Sequence, residues 1–376
     1  MSESTSLKTL IIVGGGILGF VLLILLIVWI TSIAKGHYVT YETLEAKMVE
    51  ASKKYYSKNP TLLPAEDEET TLYYDTLVTE EYIKPLNKML KDGDKCSAYV
   101  VISNVASNYD YAPYINCPGS YETQELYKVI LKNNPVVTSG SGLYSDGDSG
   151  YYFRGEITNN YVKLGTIDDY GEEVDNLWRI LSIEKDNTVK IRATKYTEDS
   201  YTWDDRYNET QENNYGYNKF EISRIKDTLA NLIKEPVIMD EEYKSKLVAK
   251  KLCVGRRELE DTTKNGSAEC SVMSNDKYYF DLLSPYEYMR ISLDDNCKDT
   301  SSISCSNYNF LRSDQNDEWT LSATITNDYE VLSFNGTRYN LESAYMEKNI
   351  MPSAYLNTRT FFVSGTGTMS DPYIIK

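Results

Sequence analysis

The chain has 376 residues, with 39 Lys and Arg against 56 Asp and Glu, for a net charge of −17. A balance this acidic repels nucleic acid and anionic lipid headgroups, and it is compatible with divalent cations and sugars. Tyr, at 34, far exceeds Phe at 8 and Trp at 4; its rigid apolar body and polar tip suit recognition surfaces, and they suit β-structure equally well.

The first element is an apolar run from Leu10 to Ile33 without a charged residue. It holds about 24 residues, which at ~1.5 Å each gives roughly 36 Å, enough for a bilayer core of about 30 Å. The expectation is an uncleaved signal anchor: residues 1–9 a cytoplasmic tail, residues 10–33 a transmembrane helix, and the C-terminal portion extracellular on a single-pass cell-membrane protein. Signal-peptide cores are shorter, although Ser32-Ile33-Ala34 loosely imitates a cleavage site. Lys8 before the run and Lys35, Lys47, Lys53 and Lys54 after it favour the reverse orientation. The even, locally grouped cysteines decide for the outside. Gly15 and Gly19 form a small-xxx-small pair through which two such helices approach, so a homodimer is a candidate assembly. Glu3, Lys8 and Lys35 leave residues 1–36 at +1, so residues 37–376 carry −18.

Tyr41, Leu44, Met48, Ala51 and Tyr55 form one apolar helical stripe, which Asn59-Pro60 ends. An acidic loop, Pro64 to Thr70, leads to a second helical stretch over about Leu72 to Leu90. Ala98 to Ser103 and Tyr111 to Cys117 read as short strands. Residues 38–118 thus form a small α+β domain, and residues 119–142 a connector with a helix near Glu122–Leu131 and a flexible Gly/Ser end. Residues 143–376 form a mainly-β domain long enough for a full core. Its strands lie at Tyr151–Arg154, Tyr161–Leu164, Leu177–Ile183, Val189–Ala193, Trp319–Ala323, Glu330–Phe334 and Ala354–Asn357. Glu184 to Thr188 is a hairpin turn, and Val189, Ile191 and Ala193 alternate inward. Ile222, Ile225, Leu229, Leu232 and Ile233 share a helix face, and Ser284-Pro-Tyr-Glu287 is a capping box that starts another helix. The fold class expected is α+β, with a transmembrane helix ahead of both domains.

Six cysteines fall in three close pairs: Cys96 and Cys117, Cys253 and Cys270, Cys297 and Cys305. Nearest-neighbour disulfides are the first reading; six reduced, partly buried thiols are the second. A zinc site lacks both a Cys-x-x-Cys spacing and histidines, His37 being the only one.

The strings Gly142-Leu-Tyr, Tyr151-Tyr-Phe-Arg-Gly, Asn159-Asn-Tyr-Val, Leu177-Trp-Arg-Ile-Leu-Ser-Ile, Thr188-Val-Lys-Ile, Leu283-Ser-Pro-Tyr-Glu, Trp319-Thr-Leu-Ser and the closing Gly365-Thr-Gly-Thr with Asp371-Pro-Tyr resemble a family of uncharacterised surface-exposed domains of low-GC Gram-positive bacteria. That family is distantly similar to C-type-lectin-like and formylglycine-generating-enzyme-like folds, and the resemblance covers most of residues 140–376. It implies no activity. The front part, with Tyr82-Ile-Lys-Pro-Leu, Gly93-Asp-Lys-Cys-Ser-Ala-Tyr-Val-Val and Tyr114-Ile-Asn-Cys, resembles pilin-like ectodomains. Leu10–Ile33 carries neither the prepilin-peptidase site nor the early acidic residue of pilins.

No catalytic constellation stands out. His37, beside the apolar run, is no base for a Ser-His-Asp arrangement. Carboxylate pairs such as Asp204-Asp205 and Asp317-Glu318 are expected by chance among 56 acids. Cys297 and Cys305 read as a structural bridge ahead of a formylglycine-type redox pair. Calcium is the one candidate cofactor, at Asp146-Gly-Asp148 or at Asp168-Asp169 with Glu172-Glu173; solvated turns are the alternative. Trp178, within an apolar strand, is assigned to packing. Trp203, followed by Asp204 and Asp205 in a polar, Tyr-rich stretch, is the candidate ligand-binding group, a ring for sugar stacking beside acceptor oxygens. The reading is a membrane-anchored extracellular module for adhesion to a glycan or protein partner. The alternative is a pilin-like component of a surface filament or secretion machine.

Overall fold

The computed structural model describes residues 38–376 apart from 67, 106–107, 148–149, 170, 196, 198, 236–237, 303–308 and 312–316. The expected transmembrane helix at Leu10–Ile33, with Gly15 and Gly19, lies outside the described residues. Among the described residues no helix is long and apolar enough to cross a membrane, and the elements are mainly strands in several sheets. The α+β class with a transmembrane helix is therefore corrected to a mainly-β fold. The single-pass membrane localisation drawn from that helix is withdrawn with it.

Two compact units divide between Thr123 and Gln124. In the first, α1 (Tyr41–Lys58) starts where Thr40 Oγ1 accepts the Thr43 amide, and it stops before Pro60. Its buried Leu44, Met48 and Ala51 are the stripe expected. Beyond it come β1 (Glu69–Tyr73), α2 (Tyr74–Thr79), α3 (Leu86–Met89), β2 (Ser97–Val105), β3 (Asn108–Cys117) and β4 (Tyr121–Glu122). The four strands form an antiparallel sheet in sequence order. The single helix expected over Leu72–Leu90 is absent. Glu69–Tyr73 pairs with β2 instead, Glu81 takes a left-handed φ of 60°, and Pro85 restarts the chain at α3. Cys96–Cys117 is bridged beside the Ser97–Asn116 register pair, so this disulfide closes a hairpin already held by its ladder. Buried Glu45 of α1 accepts from Tyr121 Oη at 2.8 Å and Thr123 Oγ1 at 2.9 Å, tying helix to sheet end.

The second unit opens with β5 (Gln124–Glu125) and α4 (Leu126–Asn133). The stretch expected as connector is therefore structured: Leu126, Val129 and Ile130 lie in the main core. Then follow β6 (Gly142–Ser145), β7 (Gly150–Arg154), β8 (Tyr161–Asp169), β9 (Glu172–Glu184), β10 (Val189–Ala193), β11 (Tyr201–Thr202), α5 (Arg224–Asn231), α6 (Glu241–Lys244), β12 (Lys250–Cys253), β13 (Met273–Tyr278), β14 (Phe280–Asp281) and α7 (Pro285–Ile291). The last strands are β15 (Glu318–Ala323), β16 (Glu330–Phe334), β17 (Tyr339–Ser343), β18 (Glu347–Lys348), β19 (Ser353–Leu356), β20 (Phe361–Ser364) and β21 (Tyr373–Ile375). One large sheet runs β14-β19-β10-β9-β8-β21-β20-β5, with β7 on β9 and β6 on β7. Its β8–β21 pair is parallel. Smaller sheets are β15-β16-β17, β11-β18 and β12-β13.

Strand β10 is central in the large sheet and buried on both faces. Val189 and Ile191 enter the apolar core with Trp178 and Phe280, as the alternation predicts. The other face, which a polar alternation would give to water, carries Lys190 and Arg192, each 3% exposed. Lys190 Nζ lies 2.6 Å from Glu287 and 3.0 Å from Asp281. Arg192 donates to both oxygens of Glu318, at 2.5 and 2.6 Å, and Tyr288 Oη donates to the same carboxylate at 2.7 Å. Glu287 also closes the Ser284 capping box that was read from the sequence. This face of β10 is thus a buried charged layer that joins α7 and β15 to the large sheet and ties in its edge strand β14.

Burying a charge is tolerated only beside a partner, and removing one partner costs about 3–5 kcal/mol. Lys190→Met would leave Asp281 and Glu287 buried without their cation. Calorimetry of the full chain should show the melting temperature fall by roughly 10 °C; a fall under about 2 °C would make the cluster dispensable. A second expectation concerns pH. Burial, outweighing the pull of Lys190, pushes the Asp281 carboxyl up to about 6, against ~3.9 in an unfolded chain. The folded protein takes up this proton at the higher pH, so the contribution of Asp281 is fully present below ~4 and is lost as pH rises through the folded value. The stability of wild type minus that of Asp281→Asn should therefore decline from about pH 4 to about pH 6 in denaturant titrations, and a flat difference would contradict the raised carboxyl.

Candidate functional site

The three residues expected to form a ligand-binding face separate in space. Trp203 is 1% exposed. Its indole N–H donates to the Thr320 carbonyl at 3.3 Å and its ring meets Phe220 edge-on. It belongs to the core and presents no ring to a sugar. Asp204 is fully buried. Its carboxylate receives Arg206 Nη2 at 2.6 Å and the Arg224 amide at 3.2 Å, so it caps the first turn of α5. Asp205 is half exposed and pairs with Arg224 Nε at 3.0 Å.

Asp205 and Arg224 border an open recess of about 700 Å³. One wall is the β11–β18 ladder, in which Thr202 pairs with Glu347 and Tyr201 with Lys348. Tyr345 and Met346, just ahead of β18, are both largely exposed, and Ser200, Thr202 and Thr228 add hydroxyls. The ladder is anchored from beneath, where Trp319 Nε1 donates to the Tyr201 carbonyl at 2.7 Å and Lys348 pairs with Asp317 at 2.9 Å. Burial, with help from Asp199 and Glu235, pushes the Tyr201 hydroxyl upward. It remains a neutral O–H at physiological pH, able both to donate and to accept. The recess thus offers aromatic and thioether surface, two carboxylates, one guanidinium and several hydroxyls. Of these residues the sequence reading singled out only Asp205. Tyr345 and Glu347 arrive from more than a hundred positions away through a two-residue ladder too short to leave a periodic signal.

Of the calcium candidates, Asp146, Asp168 and Glu173 have other partners. Asp146 lies 3.4 Å from Arg290, and Asp148 lies outside the described residues. Asp168 Oδ1 accepts the Gly171 amide and Glu173 accepts from Thr166, both at 2.6 Å, as in self-satisfied turns. Among the described residues no group of three or more His, Cys, Asp or Glu side chains is placed to hold a metal. Of the other carboxylate pair, Glu318 is committed to Arg192 and Asp317 to Lys348. His37 lies outside the described residues. Cys253–Cys270 is bridged as expected. Cys297 is buried and disulfide-bonded, and its expected partner Cys305 lies outside the described residues.

Comparison with known proteins finds no matching family model, curated protein or solved structure.

Truncating a buried Trp costs about 3–5 kcal/mol. Trp203→Ala should lower the melting temperature by roughly 10 °C in a thermal scan, because its ring fills the core beside Phe220. An unchanged transition would return Trp203 to the surface and reinstate it as a contact residue.

Proposed function

We propose that residues 124–376 are a binding module for a glycan, held in the recess bounded by Tyr201, Asp205, Arg224, Tyr345 and Glu347. The observation that carries this reading is the mixture of groups in one open recess of about 700 Å³. A pyranose presents an apolar C–H face and a rim of hydroxyls. An exposed Tyr ring and the Met346 thioether match the face. Carboxylates that accept from adjacent hydroxyls match the rim, and the paired Asp205 and Arg224 offer an acceptor and a donor side by side. Sites of this kind combine aromatic surface with a few fixed polar groups on a preformed scaffold. The anchoring of β11 and β18 by Trp319 and Asp317 supplies that rigidity.

The test is an array of immobilised oligosaccharides probed with the full chain, followed by titration of whichever binds. Asp205→Ala and Tyr345→Ala should each weaken that binding by about tenfold. Both side chains are solvent-accessible, so the melting temperature should move by less than about 2 °C. No binding to any oligosaccharide, or binding untouched by both substitutions, would overturn the reading.

A further inference from the structure

A second recess, of about 360 Å³, shares no residue with the first. It is bounded by Asp146 beyond β6, Tyr152 and Arg154 of β7, the loop Thr263–Asn265, and Arg290 in the last turn of α7. Three cations therefore converge with one carboxylate, in a chain whose net charge is −17. Further carboxylates stand behind this lining, Glu184 and Glu287 near Arg290 and Asp294 and Asp295 near Lys264, but only Asp146 borders the recess itself.

Both guanidiniums are held in place by the surrounding structure. Arg154 Nε donates to the Ser292 carbonyl at 3.0 Å, and its guanidinium lies 5.3 Å from the Tyr144 ring centre. Arg290 lies 5.0 Å from the Tyr152 ring and 5.4 Å from that of Tyr286. Its contact with Asp146 is long, at 3.4 Å, and its buried Nε has no hydrogen-bond partner among the described residues. Lys264 makes no ion pair among the described residues. Burial, with the neighbouring charge of Arg154, pushes its ammonium below the usual lysine range, against the opposing pull of Asp294 and Asp295.

The loop that carries Lys264 is built to stay put. Arg257, fully buried, donates to the carbonyls of Asp261 at 2.6 Å and Thr263 at 2.7 Å, and it pairs with Glu269 at 2.8 Å. The Cys253–Cys270 disulfide encloses the same loop. Gly266, at a φ of +78°, packs against the Tyr286 ring so closely that an added Cβ would sit 3.0 Å from it. Cations converging on a fixed frame cost free energy unless a ligand of opposite charge answers them.

We propose that this recess binds a tetrahedral oxoanion, the phosphate or sulfate group of a small molecule. Two guanidiniums offer paired N–H donors that suit tetrahedral oxygens, and the lysine adds a compact third charge. A tetrahedral group presents oxygens in more directions than a planar carboxylate, so it can meet both guanidiniums and the ammonium at once. Tyr152 supplies an apolar wall for whatever the oxoanion is attached to.

The experiment is calorimetric or NMR titration of the full chain at low ionic strength with inorganic phosphate, inorganic sulfate and acetate. Phosphate should bind, and acetate should bind at least about tenfold more weakly. Lys264→Ala and Arg154→Ala should each weaken phosphate by about tenfold, whereas Asp146→Asn should strengthen it. Lys277→Ala, which removes an exposed lysine elsewhere, should leave the affinity as it is. If phosphate binds and sulfate does not, the source is a phosphorylated molecule; the reverse assigns a sulfated one. No binding of either up to roughly 10 mM, equal binding of acetate, or loss of affinity in Lys277→Ala as large as in Lys264→Ala would overturn the proposal. Because the two recesses share no residue, the glycan reading and this one fail independently.

Discussion

Lys190 and Arg192 stand on the buried side of a central strand, and most of the second unit is arranged to answer them. A cation withdrawn from water costs several kcal/mol unless carboxylates and hydrogen bonds surround it. Those carboxylates come from three separate elements: Asp281 of β14, Glu287 of α7 and Glu318 of β15. Ser353 on β19 donates to Asp281 as well. The small β15-β16-β17 sheet and α7 can therefore meet the large sheet only where these partners align. Apolar packing alone would tolerate small slips of register; paired buried charges do not. Leu181, Leu283, Tyr288, Ile291 and Phe334 then fill the space beside the charged layer as a separate apolar cluster.

The same economy of side chains governs the surface. Glu287 serves the capping box with one oxygen and Lys190 with the other. Asp204 serves Arg206 and the start of α5 together. A carboxylate so committed is removed from the list of groups that could meet a ligand. Asp205, one residue on, has a single side-chain partner among the described residues and half its surface in water, and it is the member of that pair left to border a recess. Arg257 is spent entirely on holding a loop, and Lys264 on that loop is left with no such duty. In both places a buried neighbour in the sequence makes the accessible residue available and fixes where it sits.

Composition and charge describe the whole chain and say little about either recess. A charge of −17 is compatible with a local patch of opposite sign, because screening confines each surface charge to within about 10 Å at ordinary ionic strength. The Tyr-rich composition likewise divides among uses. Tyr288 and Tyr339 are committed to the interior around Phe334, while Tyr345 stands exposed beside a ladder.

Local signals survived into the fold. The stripe Leu44, Met48 and Ala51 became the buried face of α1, Ile225 and Leu229 that of α5, and Ser284 to Glu287 the capping box of α7. Cys96–Cys117 and Cys253–Cys270 paired as their spacing suggested, because each lies within reach of a local hairpin or loop. These features depend on residues three to about twenty positions apart, and periodicity or loop closure suffices to read them. Tertiary structure decided the rest. Alternation along Val189 to Ala193 marks one face as apolar, but it cannot reveal that three distant carboxylates make the other face a buried layer. Thr70 to Tyr73 is strand because β2 lies beside it. Trp203 is core because Phe220 and Thr320 close over it, and the recess beside Asp205 exists because a segment about 140 residues later pairs with Tyr201 and Thr202. Burial and charge pairing at long range are properties of the assembled chain, and no window of sequence contains them.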